Sequence, residues 1–180
     1  MAHTASLVNR MIRAARLDAS LYEEVEADGN ATQQAMLVVV LSSVAMGLSL
    51  FTEVGVSGLI GGAVVDLAGW FVWALLTYWI GTSLLPEPQT QADLGQLLRT
   101  TGFSSSPGLL RVFGAIPGLW SLIVVGTSVW MLVAMVIAVR QALDYRGTVR
   151  AIGVCAIGWT IKVVFLLFLY GMTRNLLPAR

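Results

Sequence analysis

From Gln34 to Met172 the chain is almost continuously apolar, and nearly all its cationic residues lie outside the apolar runs. Long near-neutral runs suit lipid and would aggregate in water, so this pattern restricts the chain to helices that satisfy their own backbone groups inside a bilayer. The expected fold is all-α, a polytopic transmembrane helical bundle. The charge content agrees: only 12% of residues are charged, where soluble domains carry about 25%. Mean hydropathy is +0.79.

Several function classes fall away on chemistry. A net charge of +1, with no dense basic patch beside stacking aromatics, argues against a nucleic-acid partner. The single cysteine, Cys155, excludes an intrachain disulfide, and the single histidine, His3, sits in the N-terminal tail. No metal site and no cofactor are expected from that inventory. There is no phosphate-binding glycine loop and no Ser/His/Asp set, so an enzyme is not expected.

Residues 1–30 precede the first apolar run and read as a cytoplasmic amphipathic segment. Leu7, Val8, Met11, Ile12 and Ala15 recur at helical spacing, while Arg10, Arg13 and Arg16 take other faces. Two readings stay open: an interfacial helix whose three arginines meet lipid headgroups, or a helix packed under the bundle. Ser20-Leu-Tyr-Glu23 has the form of a capping box and predicts a second short helix through Val25. The acidic and amphipathic lead is unlike a cleavable secretory signal, so the first span is expected to act as an uncleaved insertion signal.

Five spans are expected within residues 31–172, followed by a short tail, 173–180. They cover roughly 34–51, 57–85, 94–116, 119–139 and 151–172. Gly58 and Gly62 form a GxxxG pair beside Gly61, which predicts close helix packing. Pro86 and Pro88 end the second span. The third is expected to be broken, because Gly102, Ser104–Ser106, Pro107 and Gly108 interrupt it. Arginine counting then sets orientation. Five crossings put Arg10, Arg13, Arg16, Arg99, Arg140, Arg146 and Arg150 on the cytoplasmic side and leave Arg174 and Arg180 outside. A re-entrant third segment would move Arg140, Arg146 and Arg150 outside and weaken that bias. The expectation is therefore a multi-pass protein of the cell inner membrane with N-terminus inside and C-terminus outside.

The ions left inside the spans, Asp66, Arg111 and Lys162, are the candidate functional cluster. Asp66 and Lys162 fall at similar predicted depths, which suggests a pair across the second and fifth spans, with Arg111 nearby. A structural clamp is expected ahead of an ion path, since a transporter carries more polar lining. Trp70 and Trp73 share a helical face, while Trp79 and Trp120 lie near predicted interfaces; packing and anchoring account for them.

Three stretches together carry a family resemblance: RMIRAARLDASLYEEVEAD (10–28), LRTTGFSSSPGLL (98–110) and VRQALDYRGTVRAI (139–152). In order and spacing they resemble the Yip domain family of Ypt/Rab-interacting membrane proteins, in its short bacterial branch. The resemblance implies a five-span bundle with a cytoplasmic N-terminal region and no active-site residues. Gly102, Phe103 and Pro107 match the family's third-span turn. Eukaryotic relatives are associated with Rab GTPases and vesicle traffic. The function expected for this chain is a non-enzymatic scaffold or accessory subunit stabilising a larger membrane complex. The alternatives are a small oligomeric transporter using Asp66 and Lys162, or a lipid-organising protein. The expected partners are the bilayer and either a membrane protein or further copies of the chain.

Overall fold

A computed structural model describes residues 6–176, with the side chains at 52, 165, 166 and 168–176 excepted. His3 and Arg180 lie outside the described residues, as does the side chain of Arg174. Among the described residues the chain is all helical, with no strand. Helices α1 (Leu7–Ala15) and α2 (Ala19–Ala27) form a short hairpin. Long helices follow: α3 (Ala31–Ser49), α4 (Phe51–Trp79), α6 (Trp120–Ala142) and α7 (Thr148–Leu176). Between α4 and α6 lie α5 (Leu94–Phe103) and a 3₁₀ segment, Ser106–Ala115.

Local chemistry explains the boundaries. The Ser20 capping box is not formed. Asp18 caps α2 instead, its carboxylate accepting from the Ser20 amide at 3.0 Å, because Leu17 (φ 62°) turns the chain one residue earlier. A capping box does form at α5, where Asp93 accepts from the Gln96 amide and Gln96 accepts from the Asp93 amide. Gly55, at φ 61°, kinks α4 near its start. At the other end α4 widens into a π turn over Ile80–Leu84 before the prolines stop it. Helix α5 ends at Phe103, and a turn at Ser104–Ser105 leads into the 3₁₀ segment, whose first residues include Pro107 and Gly108.

The direction of each element can be read from close approaches. A methyl placed on Gly102 would lie 2.7 Å from Ala35 Cβ. On Gly108 it would lie 1.9 Å from Ser42 Oγ, and on Gly114 it would lie 3.3 Å from Ser49 Cβ. Both numberings rise together, so α3 and the α5–3₁₀ segment run parallel along a seam of small residues. Gly47 meets Leu59 and Gly62 faces Ser43, so α4 runs back along α3. Met131 lies by Gly108 and Met135 by Ser104, so α6 runs opposite to the third segment.

The starts of α3, α5 and α7 and the ends of α4 and α6 therefore share one end with α1 and α2. That end is stitched by polar bonds. Tyr145 donates to the Gly81 and Leu85 carbonyls at 3.1 and 2.7 Å, and Thr90 donates to the Leu143 carbonyl. Arg150 pairs with Glu87 at 3.4 Å, and Arg99 donates to the last-turn carbonyls Val25 and Glu26 of α2. One core cluster surrounds Phe103, and a second surrounds Leu143 and Val154.

Candidate functional site

Three helices among the described residues are long and apolar enough to cross a membrane: Ala31–Ser49, Glu53–Leu84 and Trp120–Ala142. Their outward faces are apolar, with Val64, Val65, Val125, Val129 and Leu132 all exposed. On a soluble protein such surface would be an aggregation hazard; on this one it is what lipid or a membrane partner covers.

The intramembrane ions are not brought together. Asp66 and Lys162 are both exposed, and no ion pair joins them among the described residues. The physical reason lies in α7. Its first half packs through Ala151, Val154, Cys155 and Gly158, with Trp73 and Ile80 of α4 against Gly158. At the described positions between Trp159 and Leu167 α7 is mostly exposed, Lys162 included. Arg111 turns to α6, donating to the Thr127 and Ser128 hydroxyls at 3.3 and 3.0 Å; Asp66 acts on it through space without a direct pair.

The glycines divide likewise. A methyl on Gly61 would meet nothing within 4 Å, Gly62 faces Ser43 loosely at 3.9 Å, and Gly58 lies against Val54 of its own kinked helix. The tight approaches between elements belong to Gly81, against Leu143, and to Gly102 and Gly108. Pro107 is buried beside the last of these. Ser104 and Ser106 donate to the Thr101 and Phe103 carbonyls, so the serines serve the turn itself. Trp70 donates to the Leu98 carbonyl at 3.1 Å. The Trp73 indole nitrogen is buried with no partner among the described residues.

The N-terminal arginines differ most from expectation. Arg10 is 3% exposed and turned inward: it donates to Glu24 at 2.9 Å, Asp28 at 2.8 Å and Gln34 at 3.0 Å. Arg13 pairs with Asp18 at 2.8 Å and with Glu24. Arg16 alone of the three is exposed. Glu24 shows the balance: burial raises its pKa, but hydrogen bonds from Arg13 and Arg10 outweigh that and hold it below the ordinary value. The hydrogen bond from Arg10 leads in holding Asp28 low. Glu26 has no such donor. Burial first, then the charge of Asp144, push its carboxyl up to about 7, with Arg99 opposing. The sequence does carry a signal for this network: three arginines on one short helix, then Glu23, Glu24, Glu26 and Asp28 on the next.

Among the described residues no group of three or more His, Cys, Asp or Glu residues could hold a metal. A shallow cavity of about 320 Å³ opens at the far end, between Ser49, Glu53, Gly114 and Trp120. Apolar helices of this length, packed side by side along a small-residue seam, define a multi-pass integral membrane protein. The family follows from the sequence match: the Yip1 domain model covers residues 21–170, and the chain belongs to that family. It is a family of membrane proteins, not known for catalysis. No curated protein and no solved structure matches the chain.

Proposed function

We propose that the chain is a non-enzymatic scaffold or accessory subunit that packs against a larger membrane protein complex in the inner membrane. The observation that carries this reading is the pair of exposed ions, Asp66 on α4 and Lys162 on α7, which make no ion pair among the described residues. An ion facing hydrocarbon is expensive, and a partner helix bearing complementary groups removes that expense. Gly61 and Gly69 open the same helix to close approach, since a methyl at either would meet nothing within 4 Å.

Five crossings fit this reading. Ten α-helical residues and ten 3₁₀ residues together span about 35 Å, enough for a hydrocarbon layer of about 30 Å. The N-terminus and the 140–150 connector then lie on the cytoplasmic side and the C-terminus lies outside. The test is gentle extraction from native membranes followed by native mass spectrometry, on the parent and on Asp66→Asn and Lys162→Gln. A stoichiometric partner that the variants lose supports the reading. A parent that emerges alone, or only as copies of itself, sinks it.

A further inference from the structure

Helix α1 has two apolar flanks, and only one of them faces the protein. Leu7, Met11 and Ala14 pack toward the Phe103 cluster. Val8 and Ile12, next to them around the helix, are 64% and 47% exposed. Arg16 and Asn9 occupy the following exposed sector, and Arg10 and Arg13 turn toward the acids of α2. We propose that α1 is an in-plane helix sunk into the leaflet at the α1–α2 end, with Val8 and Ile12 against acyl chains and Arg16 and Asn9 at the headgroups.

The depth of α1 identifies lipid as the occupant. Trp130 donates its indole N–H to the Ala15 carbonyl, in the last turn of α1, at 2.8 Å. Trp130 is ten residues from Trp120 and twelve from Ala142, so its Cα lies about 15 and 18 Å from the two ends of α6. Even with the indole pointing straight toward Ala142, the Ala15 carbonyl stays about 9 Å or more inside that end. Helix α1 also rests on the 3₁₀ segment, which forms the deeper half of the third element. Trp130 stands among Val129, Leu132 and Val133, the outward apolar surface of α6, and Val8 and Ile12 of the helix it holds are exposed as well.

The hydrogen bond has its own logic. A helix C-terminus leaves carbonyls unpaired, and at a depth without water such a group needs a protein donor. Trp130 supplies one. The arginine network has the same sense, since Arg10 and Arg13 are neutralised by Asp18, Glu24 and Asp28 within the hairpin. The hairpin therefore enters the leaflet through apolar contact, with one free arginine at the boundary, and insertion does not depend on anionic lipid.

The test uses the full chain with Cys155→Ala, spin-labelled at Val8→Cys, Ile12→Cys or Asn9→Cys, in phosphatidylcholine vesicles with and without phosphatidylglycerol. These three positions are exposed, so labelling leaves the fold intact; elution as a single species like the parent verifies it. Collision with oxygen should exceed collision with a water-soluble nickel chelate several-fold at 8 and 12, and the order should reverse at 9. The result should be the same in both lipids. Labels at 8 and 12 as open to nickel as the label at 9 would overturn the proposal. So would labels shielded from both reagents, which means protein covers the flank. Depth that appears only with phosphatidylglycerol would also overturn it, by making the arginines the anchor.

Discussion

Replacing Arg10 by Met removes a guanidinium that serves three partners while keeping most of the side-chain volume. The three bonds, at 2.9, 2.8 and 3.0 Å, tie α1 to the second half and the C-cap of α2 and to the first turn of α3. Breaking a fully buried pair costs about 3–5 kcal/mol, because the abandoned ion stays desolvated. Here Arg10 is 3% exposed, but Glu24 and Asp28 are 34% and 21% exposed and recover some water. Glu24 also keeps Arg13. The expected loss is therefore about 2–3 kcal/mol. For a chain of this size that lowers Tm by about 5–10 °C, read by thermal melting in mild detergent at pH 7. Arg10→Lys should recover only part, since an ammonium cannot present the planar fork, and Arg16→Met should melt with the parent. Acid supplies an internal check. Glu24 and Asp28 are held below their ordinary values, so their contribution is full above the usual carboxylate range and is lost as pH falls through the depressed values. The gap between parent and Arg10→Met should narrow in that window. An Arg10→Met protein with parental Tm at pH 7 would refute the reasoning.

Glu26 has the opposite sign: its folded carboxyl is raised to about 7 from 4.5, so the folded chain binds the proton more tightly and loses stability as pH rises through that interval. Glu26→Gln should flatten the profile and melt above the parent at pH 8 by about 1 kcal/mol, discounted for partial exposure; parallel melting curves would reject it. Gly102→Val pushes a branched side chain against the Ala35 backbone, 3.1 Å from its carbonyl even at Cβ, and should cost about 2–3 kcal/mol in the same melts. Gly61→Ala meets nothing within 4 Å and should gain up to about 1 kcal/mol from helix propensity, unless a bound partner occupies that face. Tyr145→Phe leaves the Gly81 and Leu85 carbonyls without their donor and should lower stability by about 1–2 kcal/mol, checked by Tm.

The all-helical class was legible because apolar run length is a property of composition along the chain. The end of α5 ahead of the 3₁₀ segment was legible because Pro107 and Gly108 act locally. Expectation and structure part where the outcome depends on which faces meet. Ser20 has the right neighbours for a cap, yet Leu17 in a left-handed turn hands the role to Asp18. Gly58 and Gly62 have GxxxG spacing, but the tight approaches between elements use Gly81 against Leu143, Gly102 against Ala35 and Gly108 against Ser42, pairs with no local sequence signature. Arg10 looks like a headgroup ligand on the α1 wheel alone. Only the return of α2 beside it places Glu24 and Asp28 within reach. Asp66 and Lys162 fall at similar depths when counted from predicted span ends, but depth alone does not decide which way a side chain faces, and both are exposed.

The placement of the polar bonds ties the site to the fold. At the α1–α2 end, Arg10, Arg99, Arg140, Tyr145 and Arg150 all spend their donors within the chain, and the loops after α4 and α6 are bonded to each other. Among the described residues at the far end, Arg111 bonds only hydroxyls of α6, and Lys162 is exposed without an ion pair. A helical protein that concentrates its polar crosslinks at one end is stiff there and deformable at the other. Under the scaffold reading, a partner therefore docks against the open half without breaking the stitched half. Two outcomes follow. Lys162→Gln should release the partner while leaving Tm unchanged, because the monomer gives this lysine no ion pair among the described residues. Tyr145→Phe should lower Tm and leave partner binding intact. If both variants changed both readouts, the two halves would be one cooperative unit and the division drawn from the polar bonds would not hold.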